Sequence, residues 1–277
     1  MKIVINSNNK FFWLTVLLLG VFPLQGHAGL MVGGTRFIFN EKNENGLSVL
    51  VRNTEDTQFL IQSKVLPDNT PGNQKNNGEA SKISTPFVAT PPLLQLRGKK
   101  ENYIRILRTD GILPSDRESL FQLSVASIPS GMPDGSDVQV ALRSRYKLIY
   151  RPSGLKGDSN KAYQQLRWQR NGAAITVENS TPYYVTLFQM VINGKLQPAK
   201  GVVAPFSSRT ESWCPKSGGC SLKWQSLGDM GAPTPAWAIT PNATASLGNA
   251  IGSAGPTLKP KKPDEASTED HSSPTLP

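Results

Sequence analysis

The chain has 277 residues, with 30 lysines and arginines against 20 aspartates and glutamates, two histidines and two cysteines. The histidines are His27 near the start and His271 near the end, so imidazole acid–base catalysis, a serine–histidine triad and a histidine-ligated zinc site are excluded from the body between them. The basic balance favours acidic partners, but no long Lys/Arg block interleaves with aromatic residues, so no nucleic acid is expected.

Lys2 and Lys10 precede an apolar run from Phe11 to Leu24, and Gly26-His27-Ala28 offers a small-residue cleavage site. Residues 1–28 therefore read as an export signal peptide. The alternative is a membrane anchor, but the run is shorter than the ~20 residues a span requires and Pro23 interrupts its end. No later stretch is apolar enough to span, so no stable membrane insertion is expected. Removing Lys2 and Lys10 with the signal leaves 28 basic side chains against 20 acidic ones, a net of +8. The remainder has room for two domains.

From there on, β-type runs recur: Thr35 to Phe39, Leu47 to Asn53, Gln58 to Val65, Tyr103 to Arg108, Ser119 to Ile128, Val138 to Tyr150, Ala174 to Val177 and Tyr183 to Ile192. Asn45-Gly46, Asp134-Gly135, Asn171-Gly172 and Asn193-Gly194 read as turns between them, because both turn positions accept positive φ. No segment keeps a helical period over three turns. Residues 68–84 are polar and read as a flexible loop. Pro152 cannot continue a strand ladder, and Ser153 to Asn160 is polar with two glycines. The expected organisation is all-β: an immunoglobulin-like sandwich over 29–152, a linker over 153–160, a second sandwich over 161–241, and a disordered tail over 242–277. Cys214 and Cys220, separated by Pro215, Gly218 and Gly219, read as a disulfide closing a short loop in an exported protein.

The longest run, Val138 to Arg151, alternates. Val138, Val140, Leu142, Tyr146, Leu148 and Tyr150 share one face; Arg143, Arg145, Lys147 and Arg151 share the other. At about 14 residues it exceeds the usual strand length of five or six. Periodicity allows an ordinary inner strand with a basic solvent face. It favours that reading over the other, a strand that overhangs its sheet, with unpaired backbone and apolar knobs that invite strand addition.

Lys147-Leu148-Ile149-Tyr150-Arg151-Pro152 resembles the end of the first domain of periplasmic pilus chaperones of the PapD-like family. Other blocks follow in that family's order: Thr35-Arg36, Thr90-Pro91-Pro92-Leu93, Leu113-Pro114-Ser115-Asp116-Arg117-Glu118-Ser119-Leu120-Phe121 with Ile128-Pro129, Asn179-Ser180-Thr181-Pro182-Tyr183-Tyr184-Val185, Pro205-Phe206-Ser207, and Trp224 with Gly228-Asp229-Met230-Gly231. The resemblance covers residues 30–241. It implies two immunoglobulin-like sandwiches around a cleft, a periplasmic location after signal removal, pilus subunits and an outer-membrane usher as partners, and no cofactor; no phosphate-binding Gly-x-x-x-x-Gly-Lys-Ser/Thr loop is present. A subunit lacking its last strand would receive Val138, Val140 and Leu142 into its open core. Arg36 and Lys147 match the pair that anchors the subunit's C-terminal carboxylate, and Glu118, Arg151 and Asp229 match an interdomain charge network whose role is geometric, since a surface salt bridge stabilises little.

Lys64 stands where the family often has tryptophan, and the polar tail is long. The short connection over 129–137 resembles the short-loop branch, which tends to serve rod-like pili. A secreted structural or adhesive β-sandwich subunit is the alternative function. An enzyme is not expected, although Asp116 and Glu118, two apart on an expected strand, would share a face.

Overall fold

The computed structural model describes residues 29–68, 85–130, 140–197 and 201–239. The expected signal, most of the 68–84 loop, the Asp134-Gly135 turn, Val138 and the 242–277 tail lie outside the described residues. Each of the eight expected runs contains strand.

Among the described residues the first unit has nine strands: β1 (Leu30–Val32), β2 (Arg36–Asn40), β3 (Leu47–Asn53), β4 (Phe59–Pro67), β5 (Phe87–Thr90), β6 (Leu93–Leu96), β7 (Glu101–Arg108), β8 (Ser119–Pro129) and β9 (Leu142–Arg151). One sheet has the order β1-β3-β7-β5 and the other β2-β9-β8-β4-β6. Their inner faces meet in one core that includes Phe39, Val51, Ile61, Ile104, Ile106, Leu123 and Leu148, all at most 1% exposed. Alternation explains this: in β3, Val49, Val51 and Asn53 point inward while Ser48 and Arg52 do not.

The second unit starts with a 3₁₀ helix, Ser159–Gln165, capped by Asp158, whose side chain accepts from the Asn160 amide. Its first two residues fall within the stretch 153–160 that reads as a linker; seven residues of 3₁₀ helix bury only Ala162 and Tyr163 and are too short to leave a helical period. Strands β10 (Arg167–Asn171), β11 (Ala174–Asn179), β12 (Val185–Thr186), β13 (Phe188–Ile192), β14 (Lys195–Leu196), β15 (Val202–Val203), β16 (Ser207–Glu211), β17 (Leu222–Gln225) and β18 (Trp237–Ile239) follow. They form the sheets β10-β11-β16, β14-β13-β17-β18 and β12-β15. Trp168 and Trp224, with ring centroids 5.1 Å apart, sit at the centre of this second core.

Turn chemistry is partly as expected. Asn193 (φ 48°) and Gly194 (φ 78°) join β13 to β14 with both residues left-handed. Between β10 and β11 the loop is Gly172-Ala173 instead, because Asn171 pairs with Ala174. Each unit also carries a device that the strand reading missed. Asn53 ends β3 and its amide donates to the Thr57, Leu96 and Arg97 carbonyls; Asn179 ends β11 and donates to those of Tyr183, Val203 and Ala204. Both asparagines are fully buried and satisfy loop carbonyls that would otherwise be orphaned.

Candidate functional site

Strand β9 connects the core of the first unit to the second. It pairs with β8 from Leu142 to Tyr150, while parallel β2 covers its other edge only from Lys147 to Arg151. Among the described residues no strand pairs with that edge before Lys147. The ladder to β8 begins four residues later than the alternation suggested. It is opposed there by the end of β8, where Pro129 has no amide hydrogen to give. The inward face of β9 carries buried Leu148 and Tyr150, then half-buried Tyr146, whose ring meets Phe37 edge-on at 5.9 Å. Farther out the same face leaves the core: Leu142 is 61% exposed and Val140 72%.

The opposite face of β9 looks towards the second unit. Ile149 there is fully buried with Leu120 and Val202, with Ile38 and Tyr184 packed against them. At its end, Arg151 donates to Glu118 (2.7 Å) and through both Nη atoms to Asp229 (2.5 and 2.7 Å). Glu118 also accepts from the Tyr184 amide (2.7 Å), and Asp229 from the Ser159 hydroxyl (3.1 Å). The expected trio is thus brought together, but not at the surface: side-chain exposure is 1% for Glu118, 17% for Arg151 and 27% for Asp229. The two carboxylates respond differently. Burial dominates at Glu118 and pushes its pKa up despite Arg151. At Asp229 burial also acts upward, but the Arg151 bonds and charge outweigh it and hold the pKa below the ordinary value. Asp116 does not share a face with Glu118: β8 begins only at Ser119, and Asp116 is exposed and pairs with Arg117 at 2.7 Å.

Arg36 and Lys147 are direct partners in the parallel β2–β9 register, so their backbones lie about 4.8 Å apart. Arg36 is 7% exposed. Its Nη1 donates to the Leu227 carbonyl of the second unit (2.6 Å), and its Nε has no hydrogen-bond partner among the described residues. Neither Arg36 nor Lys147 forms a salt bridge among the described residues. Burial, chiefly, lowers the pKa of each, and the neighbouring Arg36 charge lowers Lys147 further while Asp68 opposes. The charges of Asp229 and Glu118 act on Arg36 from a distance, but two adjacent, largely desolvated cations with no direct salt bridge among the described residues make a site that favours an anion.

The roles of three contributors escaped the sequence reading, although Gly231 and Tyr184 stand in the blocks quoted above. Gly231 (φ 79°) lies so close to Thr35 that a Cβ there would collide with the Thr35 hydroxyl, which presses the Gly228–Gly231 turn onto the start of β2. The Tyr184 amide serves Glu118. Buried Arg170 donates to the carbonyls of Gly172, Pro215 and Gly218, and so braces the loop closed by the Cys214–Cys220 disulfide. Backbone partners leave no side-chain pattern; only the run of glycines and prolines around the two cysteines hinted at the loop.

Residues 29–156 match the family described as pili and flagellar-assembly chaperone, PapD N-terminal domain, and residues 161–238 match the pili assembly chaperone PapD, C-terminal domain. The chain belongs to the PapD-like pilus assembly chaperone family. As a PapD-like chain it has two immunoglobulin-like β-sandwiches around a cleft. The uncharacterized fimbrial chaperone YcbF of Escherichia coli (strain K12) is 46% identical over 74% of this chain and 85% of its own. Chaperone protein FimC of the same strain is 33% identical over 76% of this chain and 84% of its own. A solved chain from the Salmonella enterica SafA pilin in complex with the SafB chaperone superposes with a TM-score of 0.65 at 29% identity, covering 76% of this chain and 95% of that one.

Proposed function

We propose that this PapD-like chain is a non-enzymatic chaperone that holds a pilus subunit in the periplasm and delivers it to an outer-membrane usher, after residues 1–28 have been removed. The observation that carries this reading is a strand edge without a partner among the described residues, ending at two adjacent cations that form no salt bridge there. Among the described residues nothing pairs with the edge of β9 before Lys147, Val140 and Leu142 are displayed beside it, and the open edge ends at Arg36 and Lys147. An incoming subunit strand would add to that edge, with its terminal carboxylate on Arg36 and Lys147 fixing the register. Val140 and Leu142, continued by Val138, would then enter the open core of the subunit. Burying each apolar side chain contributes roughly 1.5–3 kcal/mol, so three together hold a folded subunit without ATP.

The unit over 29–152 would bind the subunit. The unit over 161–241, with 153–160 between them, would set the cleft through Glu118, Arg151 and Asp229. A structural or adhesive subunit is less well supported, since YcbF and FimC are named as chaperones. The test is co-purification of a folded subunit from periplasmic extract. Lys147→Ala and Val140→Asp, each checked for an unchanged unfolding curve, should separately abolish recovery. Normal recovery with both variants would sink the reading.

A further inference from the structure

The register of the β2-β9-β8-β4 sheet places more cations on the cleft side than the carboxylate anchor uses. Cross-strand partners share a face, so Arg36, Lys147 and Gln122 form one row and Arg145, Ser124 and Lys64 the next. Arg143 lies beyond them, across from Ala126 and Gln62. Its guanidinium reaches over to the Ser124 hydroxyl and the Gln62 side-chain Oε1, both at 3.2 Å. Ser124 and Ala126 are buried and form the floor between these longer side chains. Strands β2, β4, β6, β8 and β9 contain no aspartate or glutamate. The acid at the edge of this face is Asp68, which accepts from Gln122 (2.9 Å) and whose charge reaches Lys147. Lys64, Arg143 and Arg145 are exposed and form no salt bridge among the described residues.

We infer that this basic track is a second recognition surface, selecting subunits that carry aspartate or glutamate at alternate positions upstream of their C-terminus. The inference rests on the strand-addition reading above. Arg143, Arg145 and Lys147 repeat every second residue, about 6.7 Å apart. A strand added along the edge of β9 has the same repeat. With its carboxylate at Lys147, its alternate side chains on the cleft side come beside Arg145 and Arg143, while the other set faces the side of Val140 and Leu142. Lys64 extends the positive field across the sheet and steers an acidic partner into the cleft. The closed end of the cleft differs: there Glu118 and Asp229 already neutralise Arg151.

The probes are two synthetic peptides of ~12 residues with free C-terminal carboxylates, identical apart from glutamate or glutamine at the cleft-side alternate positions. Binding to the full mature chain is followed by fluorescence anisotropy. The glutamate peptide should bind roughly fivefold more tightly, the yield of two or three exposed ion pairs. The advantage should shrink between about 25 mM and 0.15 M salt. Arg143→Gln/Arg145→Gln should bring the ratio close to one, and Lys147→Ala should weaken both peptides. Equal binding of the two peptides that still depends on Lys147 would overturn this inference and leave the anchor standing. Binding that ignores Lys147, or none by either peptide, would overturn both.

Discussion

Replacing Arg151 with methionine tests whether the buried charge network holds the two units together. Methionine keeps much of the aliphatic volume but removes the partner of Glu118, whose carboxylate is 1% exposed, and both bonds to Asp229. It also removes a guanidinium 5.4 Å from the centre of the Tyr183 ring. Breaking a buried pair by deleting one member costs about 3–5 kcal/mol, most of it from the stranded charge. Glu118 can relieve part of that by taking up a proton, which places the expectation near ~3 kcal/mol. With a urea dependence of about 2 kcal/mol per molar, the midpoint should fall by roughly 1.5 M. Trp168, Trp213, Trp224 and Trp237 all lie in the second unit, so tryptophan fluorescence follows that unit alone, while far-ultraviolet circular dichroism follows both. The two signals should coincide in the native chain and separate in Arg151→Met. Adding Glu118→Gln removes the stranded charge and keeps an oxygen for the Tyr184 amide, so the double variant should recover most of the loss. A single variant whose two curves still coincide at the native midpoint would refute the reasoning.

Gly231→Ala should also open the cleft. The residue has a left-handed φ and no room beside Thr35, and the expected loss is about 1–3 kcal/mol in unfolding, with weakened subunit binding. Acid should act on the network through Asp229. Its folded pKa lies below the ordinary 3.8, so its contribution is complete above that value and disappears as pH falls through the lower one. Glu118, shifted up from 4.5, runs the other way and adds stability as pH falls towards that value; the urea midpoint should therefore rise slightly on acidification to about 4.5 and drop below about 3.8. The proposed carboxylate anchor has an alkaline limit as well: if it requires charged Lys147, whose pKa is held below 10.5, peptide affinity should weaken before pH reaches that value. Replacing Cys214 and Cys220 with serine should cost about 2 kcal/mol, the loop-closure value for so short a loop, because Arg170 still binds three carbonyls there; Arg170→Met should cost at least as much in the same assay.

The strands that alternate between apolar and polar residues were legible in the amino-acid sequence, because burial on one face imposes a period of two. Leu47–Asn53 was bounded to the residue. The short edge strands were not: Ser207–Glu211 is polar throughout and held by pairing with β11, and pairing leaves no mark on side-chain type. The candidate site divides the same way. The alternation of Val140 and Leu142 against Arg143 and Arg145 is local and visible. Their exposure is not, since the same pattern fits an inner strand; it follows from where β2 stops covering β9. Likewise the sequence shows Arg36 and Lys147 as two cations far apart in the chain. Only the parallel register makes them neighbours, and only the second unit brings the Leu227 carbonyl onto the buried Arg36 guanidinium, because register and packing between units leave no mark on side-chain type.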